Sequence, residues 1–336
     1  MKRSLFLCFL TFGAVVLHPV YAGNDSTLLN LMKGKVYGRI FSNFHSGINE
    51  ENNVSAFEIK RAYFGYRTVL GSGFEANVKL DIGSPEDLSQ YSLIRRYAYF
   101  KNAYLGYKNN RLTAYFGIID LLHFKYQEKY WAHRYIEKSF VDLYRFGFSA
   151  DLGTQVIYEW TDWLSTDVTL MNGEGYTSMQ ADNTYKMGFG VSANPSGILF
   201  MRIYMDASET TAWQNTMAVF VGKRIGDKAL LGIEYNHEFQ TSYDKERERY
   251  GYSFYGLWYI TKKWQLFGRF DKVLSNKLSG EQNPWNLSKD GSALIGGIEY
   301  SPIDKVKLAA NYQDWFPYAA DTENEQFVFL NIEVVF

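Results

Sequence analysis

The sequence predicts an all-β fold, a transmembrane antiparallel β-barrel of about sixteen strands, on three observations. Segment after segment alternates apolar and polar residues, which is the two-residue period of a strand with chemically different faces. The connections between these segments alternate between short turns and long polar loops. Aromatic residues are abundant, with 27 Tyr, 25 Phe and 8 Trp among 336 residues, and a barrel places such rings at the two membrane interfaces.

The N-terminus has the pattern of an export signal. Two basic residues precede an apolar run over residues 5–17, and a small-x-small pattern at residues 20–22 offers a cleavage site. The run is shorter than the ~18 residues that a spanning helix requires. We therefore expect residues 1–22 to be a signal peptide and residues 23–336 to be the barrel domain.

The clearest strand is segment 74–82, where every even-numbered residue is apolar and every odd-numbered residue is charged or an amide. A strand needs roughly 9 to 11 residues to cross a bilayer, and closure satisfies every backbone hydrogen bond inside the hydrocarbon. The predicted strands are 35–44, 56–69, 73–82, 97–108, 111–118, 154–160, 164–171, 184–193, 197–206, 214–225, 228–237, 250–261, 264–273, 291–301, 305–314 and 326–336.

The connections fall into two classes. The short ones carry turn residues, such as Gly71-Ser72-Gly73 and Gly226-Asp227. The long ones are rich in Glu, Lys, Asn, Ser and Gly, and the third of them covers residues 119–153. Short periplasmic turns at one end of the strands and long extracellular loops at the other are typical of a transmembrane β-barrel.

Several classes of protein are disfavoured. With 35 basic and 36 acidic residues there is no electrostatic footprint for nucleic acid, and one cysteine excludes a disulfide framework or a cysteine zinc site. The serine motif nearest to G-x-S-x-G, at 147–151, lacks the last glycine. His123 and His133 are too far apart for a helical zinc pair. We expect neither an enzyme nor a cofactor.

Two sets of residues resemble known proteins. Segment 325–336 ends on Phe336 with alternating apolar residues before it, and it resembles the C-terminal signal that bacterial outer-membrane proteins present to their assembly machinery. Segments 57–66, 73–74, 112–118 and 134–140 are similar to the phosphate-selective porin family. That resemblance implies a sixteen-stranded barrel in the bacterial outer membrane, working as a homotrimer.

The same resemblance implies a constriction lined by basic residues from the wall and from the third long loop, 119–153, folded into the lumen. That loop carries five basic and five acidic residues, which is not an anion trap and leaves phosphate selectivity open. Four-residue spacings also predict a short helix over residues 127–140. The predicted pore-lining residues are Arg39, Arg61, Lys79, Lys125, Lys129, Arg134, Lys138, Arg202 and Arg269.

Two functions follow as expectations. The first is a water-filled channel for passive diffusion of small hydrophilic solutes or ions, with lipid and the assembly machinery as its other partners. The second is a barrel whose lumen is plugged by 119–153 and which serves as an enzyme or as an assembly scaffold. The sequence does not separate anion from cation preference.

Overall fold

The protein, described here from a computed structural model over residues 34–49, 54–83 and 97–336, forms a closed antiparallel β-barrel of 16 strands. This confirms the predicted fold. The predicted signal peptide, 1–22, lies outside the described residues. The strands are β1 Lys35–Gly47, β2 Ser55–Gly71, β3 Phe74–Gly83, β4 Tyr97–Asn109, β5 Leu112–Asp120, β6 Ala150–Glu159, β7 Leu164–Met171, β8 Lys186–Ala193, β9 Leu199–Glu209, β10 Trp213–Ile225, β11 Ala229–Phe239, β12 Glu248–Tyr259, β13 Trp264–Ser275, β14 Gly291–Ile303, β15 Val306–Pro317 and β16 Glu325–Val335.

The barrel closes where β16 pairs with β1. The Gly38 N–H donates to the Phe336 carbonyl at 2.9 Å, and the Phe336 N–H donates to the Gly38 carbonyl at 3.0 Å. The Phe336 ring covers Gly38 so closely that an added Cβ would lie 2.2 Å from it. The last residue therefore seals the seam with both its backbone and its ring.

The two faces of the wall have opposite chemistry. In β9, Met201, Ile203 and Met205 are exposed on the outer face, whereas Arg202 and Tyr204 are buried on the inner face. An apolar belt around the outside of a closed barrel suits hydrocarbon, and charged side chains inside it require water or partners. Among the described residues, no helix is long and apolar enough to cross a bilayer.

Two β-bulges break the strict alternation on β2 and β4. The register between β1 and β2 skips Lys60, and the register between β3 and β4 skips Lys101. An extra residue in a bulge turns two neighbours to the same side. Lys60 contacts the Ile136 carbonyl and Lys101 contacts Ser149, both inside the barrel. The lumen thus gains two cations that strict alternation misses.

The strands agree with the predicted ranges except at their ends. The largest difference is β6, which starts at Ala150 and not at 154, because Asp151 pairs with Ile119 and Ala150 with Asp120. The third long connection therefore covers residues 121–149 and is called L3 below. The end of the strands that carries L3 is called the long-loop end, and the opposite end the short-turn end.

L3 contains two helices, α1 Leu122–Trp131 and α2 Phe140–Leu143. The helix predicted over 127–140 is confirmed only over residues 127–131, and α1 begins earlier, at Leu122. Ala132 adopts φ 56°, a left-handed conformation, and its N–H bonds to the Glu128 carbonyl. A left-handed residue of this kind ends an α-helix, so residues 132–139 form turns between α1 and α2.

Candidate functional site

L3 lies in the lumen, as the sequence predicted, and one face of α1 packs against the wall formed by β9–β13. The Tyr126 and Phe200 rings are 4.4 Å apart between centroids. The Trp131 ring lies 5.9 Å from Tyr255 and 6.2 Å from Phe267, edge to face in both cases. Trp131 is 0% exposed, so this contact is a dry aromatic core inside the barrel.

The turn after α1 is fastened to β13 and β14 by polar contacts. The His133 ring lies 4.3 Å from the Phe267 ring, and His133 Nε2 is 3.2 Å from the Glu299 carboxylate. The Tyr135 hydroxyl donates to the same carboxylate at 2.7 Å. These hydrogen bonds satisfy buried polar groups that would otherwise destabilise the loop.

The returning part of L3 is held by two arginines of the wall. Arg269 donates to the Lys138 carbonyl, and Arg249 donates to the Tyr144 and Arg145 carbonyls at 3.1 and 2.6 Å. Backbone carbonyls of a loop inside a barrel need such donors. L3 is therefore anchored along β9–β14.

Two of the predicted pore-lining residues belong to this packed side. Arg202 makes a bidentate pair with Asp167 at 2.6 and 2.9 Å, and Arg269 pairs with Asp271 at 2.6 Å. Both arginine side chains are 1% exposed. They face inward as predicted, but their guanidinium groups hold the wall beneath L3 and are not exposed to open space.

The opposite side of L3 is open. Two adjoining cavities of about 540 and 350 Å³ lie between L3 and the wall formed by β1–β6. We call this combined space the passage. Its charged lining residues are Arg39, Lys79, Lys101, Asp120, Lys125, Glu128, Lys129, Arg134 and Asp142.

The passage carries more positive than negative charge, with six cations and three carboxylates among its lining residues. The Lys125 and Arg39 side chains are 59% and 46% exposed. Lys125 lies 3.4 Å from Asp120, and Arg39 lies 3.3 Å from Glu333. Ion pairs this exposed are weak, so these cations remain available to water and to other partners in the passage.

Arg134 joins the two helices of L3 beside the passage. It lies 3.5 Å from the Glu128 carboxylate and 3.5 Å from the Asp142 carboxylate. Burial raises the pKa of Glu128, and the Arg134 charge opposes that rise. Arg134 is 9% exposed at its side chain, so it stabilises the shape of L3 and reaches the passage only at its edge.

The other predicted residues have separate surroundings. Arg61 pairs with Asp81 at 3.1 Å, Lys79 lies over the Tyr63 ring at 5.5 Å, and Lys138 is half-buried. Of the nine predicted residues, the structure brings five together at the passage: Arg39, Lys79, Lys125, Lys129 and Arg134.

Sequence reasoning missed Lys101, which lines the passage from β4. Its Nζ donates to Ser149 at the end of L3 and lies 5.6 Å from the Phe124 ring centroid. A bulge leaves no mark in the alternation of a single strand, so only the pairing with β3 reveals its orientation. In the described part of the chain, no group of three or more metal-ligating side chains is placed to hold an ion.

Comparisons with known proteins show the fold. No protein-family model matches the chain, and no curated protein matches it. Among solved structures, the outer membrane channel DcaP of Acinetobacter baumannii is 11% identical, with a TM-score of 0.67 over 90% of this chain and 97% of that one.

Two further structures are similar in the same way. An anion-selective porin from Comamonas acidovorans is 11% identical, with a TM-score of 0.66 over 90% of this chain and 99% of that one. A trimer form of OmpT, an outer membrane protein of Vibrio cholerae, is 13% identical, with a TM-score of 0.59 over 90% and 99%. The chain therefore has the fold of the outer-membrane porins.

Proposed function

We propose that this chain is a porin of the bacterial outer membrane, through which small hydrophilic solutes diffuse passively along the passage. The observation that carries the proposal is the exposure of Lys125 and Arg39 inside a closed barrel. Charged side chains inside a barrel require partners or water, and side chains this exposed are in contact with water. The apolar outer belt and the likeness to channels of the outer membrane support the location.

We also propose a preference for anions. Six cations against three carboxylates give the passage an excess of three formal positive charges, and rings of basic side chains favour anions in pores. The likeness to an anion-selective porin supports this. Inorganic phosphate is one anion that such a lining would accept, as the resemblance of segments 57–66, 73–74, 112–118 and 134–140 implies.

We further propose how the chain is exported and assembled. The trimer form of a structural neighbour supports a homotrimer. The terminal strand, whose Phe336 seals the barrel seam, is proposed as the segment read by the assembly machinery. Residues 1–22 are proposed as the signal that exports the chain.

One observation favours a second function. L3 is anchored to six consecutive strands, β9–β14, and its aromatic side chains pack against that side of the lumen. A barrel plugged in this way could serve as a scaffold or carry an enzymatic site. The two proposals differ in one measurable property. The channel proposal predicts steady ion conduction through a single barrel, and the plugged-barrel proposal predicts none.

Recording from a planar bilayer tests the first proposal. We expect stable unitary conductance. In a salt gradient, we expect a reversal potential whose sign shows that anions permeate more readily than cations. The double variant K125E and K129E should move the reversal potential toward cations, because it reverses two charges of the passage. K245E is the matched control, since Lys245 is exposed in a loop outside the passage.

A correctly folded barrel without unitary steps would overturn the channel proposal and favour the plugged barrel. Conduction with an unchanged reversal potential in the double variant would keep the channel and remove Lys125 and Lys129 from the ion path.

A further inference from the structure

A tyrosine from another loop enters the lumen at the long-loop end of the passage. Residues 172–185, called L4, connect β7 to β8. The Tyr176 hydroxyl donates to Asp81 Oδ2 at 2.8 Å, across 95 residues of sequence. Its ring also lies over Lys101, with Nζ 4.2 Å from the ring centroid, which is a cation–π geometry.

The start of L4 holds this ring in place. The Tyr176 N–H donates to the Ala150 carbonyl at 3.1 Å. Gly175 has φ +80°, and an added Cβ would lie 2.7 Å from the Phe148 ring. A side chain at 175 would be strained for both reasons. Tyr176 is thus positioned by a backbone hydrogen bond to the start of β6 and by the close approach of Gly175 to Phe148 near the end of L3.

The groups that the ring touches belong to both walls of the passage. Asp81 lies two residues before the long-loop end of β3 and pairs with Arg61 at 3.1 Å. Lys101, on β4, donates from Nζ to Ser149 at the end of L3. Lys101 and Ser149 also line the passage. The Tyr176 ring therefore completes a bridge from β2 and β3, through β4, to L3.

From this arrangement we propose that Tyr176 determines the width and the charge selectivity of the passage at its long-loop end. The inference rests on the proposed channel function and adds a constriction that L3 does not supply. The phenol ring lies directly over the Lys101 ammonium, which lines the passage, and its face holds that ammonium beside Ser149. Pore diameter and the position of charged groups set which solutes pass.

Removal of the ring has two physical consequences. The space that the ring fills becomes available to water and solute. The Lys101 ammonium loses its cation–π contact and points more freely into the passage, which strengthens the attraction of anions. Tyr176→Phe removes only the hydrogen bond to Asp81, because the ring and its contact with Lys101 remain.

L4 offers a matched control in Tyr185, which is 62% exposed. Tyr185→Ala deletes the same side chain from the same loop. Any general effect of a shortened tyrosine in L4 should therefore appear in both alanine variants, whereas an effect of the constriction should appear in Tyr176→Ala alone.

The experiment is single-channel recording of the full chain and its variants, with folding checked by circular dichroism and by the gel mobility of unheated samples. We expect Tyr176→Ala to raise unitary conductance by up to roughly twofold and to shift the reversal potential further toward anions. Tyr176→Phe should keep the wild-type conductance with more current noise, and Tyr185→Ala should match wild type.

Equal conductance and reversal potential in wild type and Tyr176→Ala would overturn this inference and leave the channel standing. The absence of unitary currents in wild type and in every folded variant would overturn both this inference and the proposed channel function. Tyr176→Leu, which keeps a bulky apolar side chain at this position, repeats the test if the alanine variant folds poorly. An unchanged conductance there, where we expect an intermediate rise, would also count against the constriction.

Discussion

The two sides of L3 differ in almost every physical property, although one loop forms both. Toward β9–β14 the loop is dry, and Trp131 and Phe140 are each 0% exposed. Toward β1–β6 it borders the passage, and the Lys125 side chain is 59% exposed. A single loop can be both a core element and a solvent-exposed surface when its two faces differ in this way. The lumen is therefore packed as protein interior beneath α1, whereas toward β1–β6 it is open and carries exposed charges.

Ion pairs illustrate the same difference. Arg269 and Asp271 are 1% and 0% exposed at a distance of 2.6 Å, whereas Lys125 and Asp120 are 59% and 21% exposed at 3.4 Å. Breaking a buried pair leaves an uncompensated charge in a medium of low dielectric constant. Breaking an exposed pair changes little because water replaces the partner.

The largest expected effect comes from removing the aromatic anchor on the packed side. Trp131→Ala should lower the free energy of unfolding by about 4 kcal/mol, because it deletes a fully buried ring and leaves a cavity. The midpoint of denaturant unfolding measures this. Trp213→Ala is the control, since Trp213 is 53% exposed on the outer face. Equal shifts in the two variants would contradict a dry core beneath L3.

A smaller effect is expected at the buried ion pair. Arg269→Ala should destabilise the barrel by about 3 kcal/mol, because Asp271 remains charged and buried. Arg269→Ala combined with Asp271→Ala should recover part of that loss. Unfolding midpoints of the two single variants and the double variant give the coupling. If the losses in unfolding free energy of the two single variants add up to that of the double variant, the pair is solvated, and the side of L3 that faces β9–β14 is less dry than described.

On the open side of L3, replacing a charged side chain by alanine should change ion selectivity and leave the free energy of unfolding nearly unchanged. Lys125→Ala should change the free energy of unfolding by no more than about 0.5 kcal/mol and should weaken anion preference. The midpoint of unfolding tests the predicted stability, and the reversal potential tests the predicted loss of anion preference. A large loss of stability would place Lys125 in a buried network, contrary to its exposure.

The smallest effect concerns pH. Burial alone would raise the pKa of Glu137, but Lys60, the Lys138 amide and Arg134 together lower it to about 2. A lowered folded-state pKa stabilises the docked loop fully above the ordinary value of 4.5, and this contribution is lost as pH falls toward 2. We expect current noise to rise over that interval.

Glu137→Gln serves as the control for this pH dependence, because a neutral amide has no charge to lose. Its noise should be higher at neutral pH and should change less between pH values near 4.5 and 2. Identical pH profiles in wild type and Glu137→Gln would assign the titration to another carboxylate.

The barrel itself could be predicted because the alternation of apolar and polar residues within each strand shows which residues belong to its two faces. The alternation in segment 74–82 needs no knowledge of the neighbouring strands, and β3 lies at Phe74–Gly83. The positions of the charges in the lumen could be predicted only in part. The inward direction of Arg202 follows from alternation, but its partner Asp167 lies 35 residues away, and no local pattern reveals a pair of that separation.

L3 shows the other limit of the sequence. Four-residue spacings over 127–140 resemble a helix, but the left-handed residue Ala132 ends α1, and alanine gives no signal for that conformation. Lys101 stayed hidden because its orientation depends on a bulge against β3. Both features arise from packing between distant segments.

The central claim, a water-filled path between L3 and β1–β6, is tested most directly by a thiol placed in that path. The chain has one cysteine, Cys8, within the predicted signal peptide, so Lys125→Cys supplies the single thiol of the predicted barrel domain, 23–336. A bulky water-soluble thiol reagent should reduce the unitary conductance of Lys125→Cys in one step and leave Lys245→Cys unchanged. Complete labelling of Lys125→Cys with no change in current would contradict the claim.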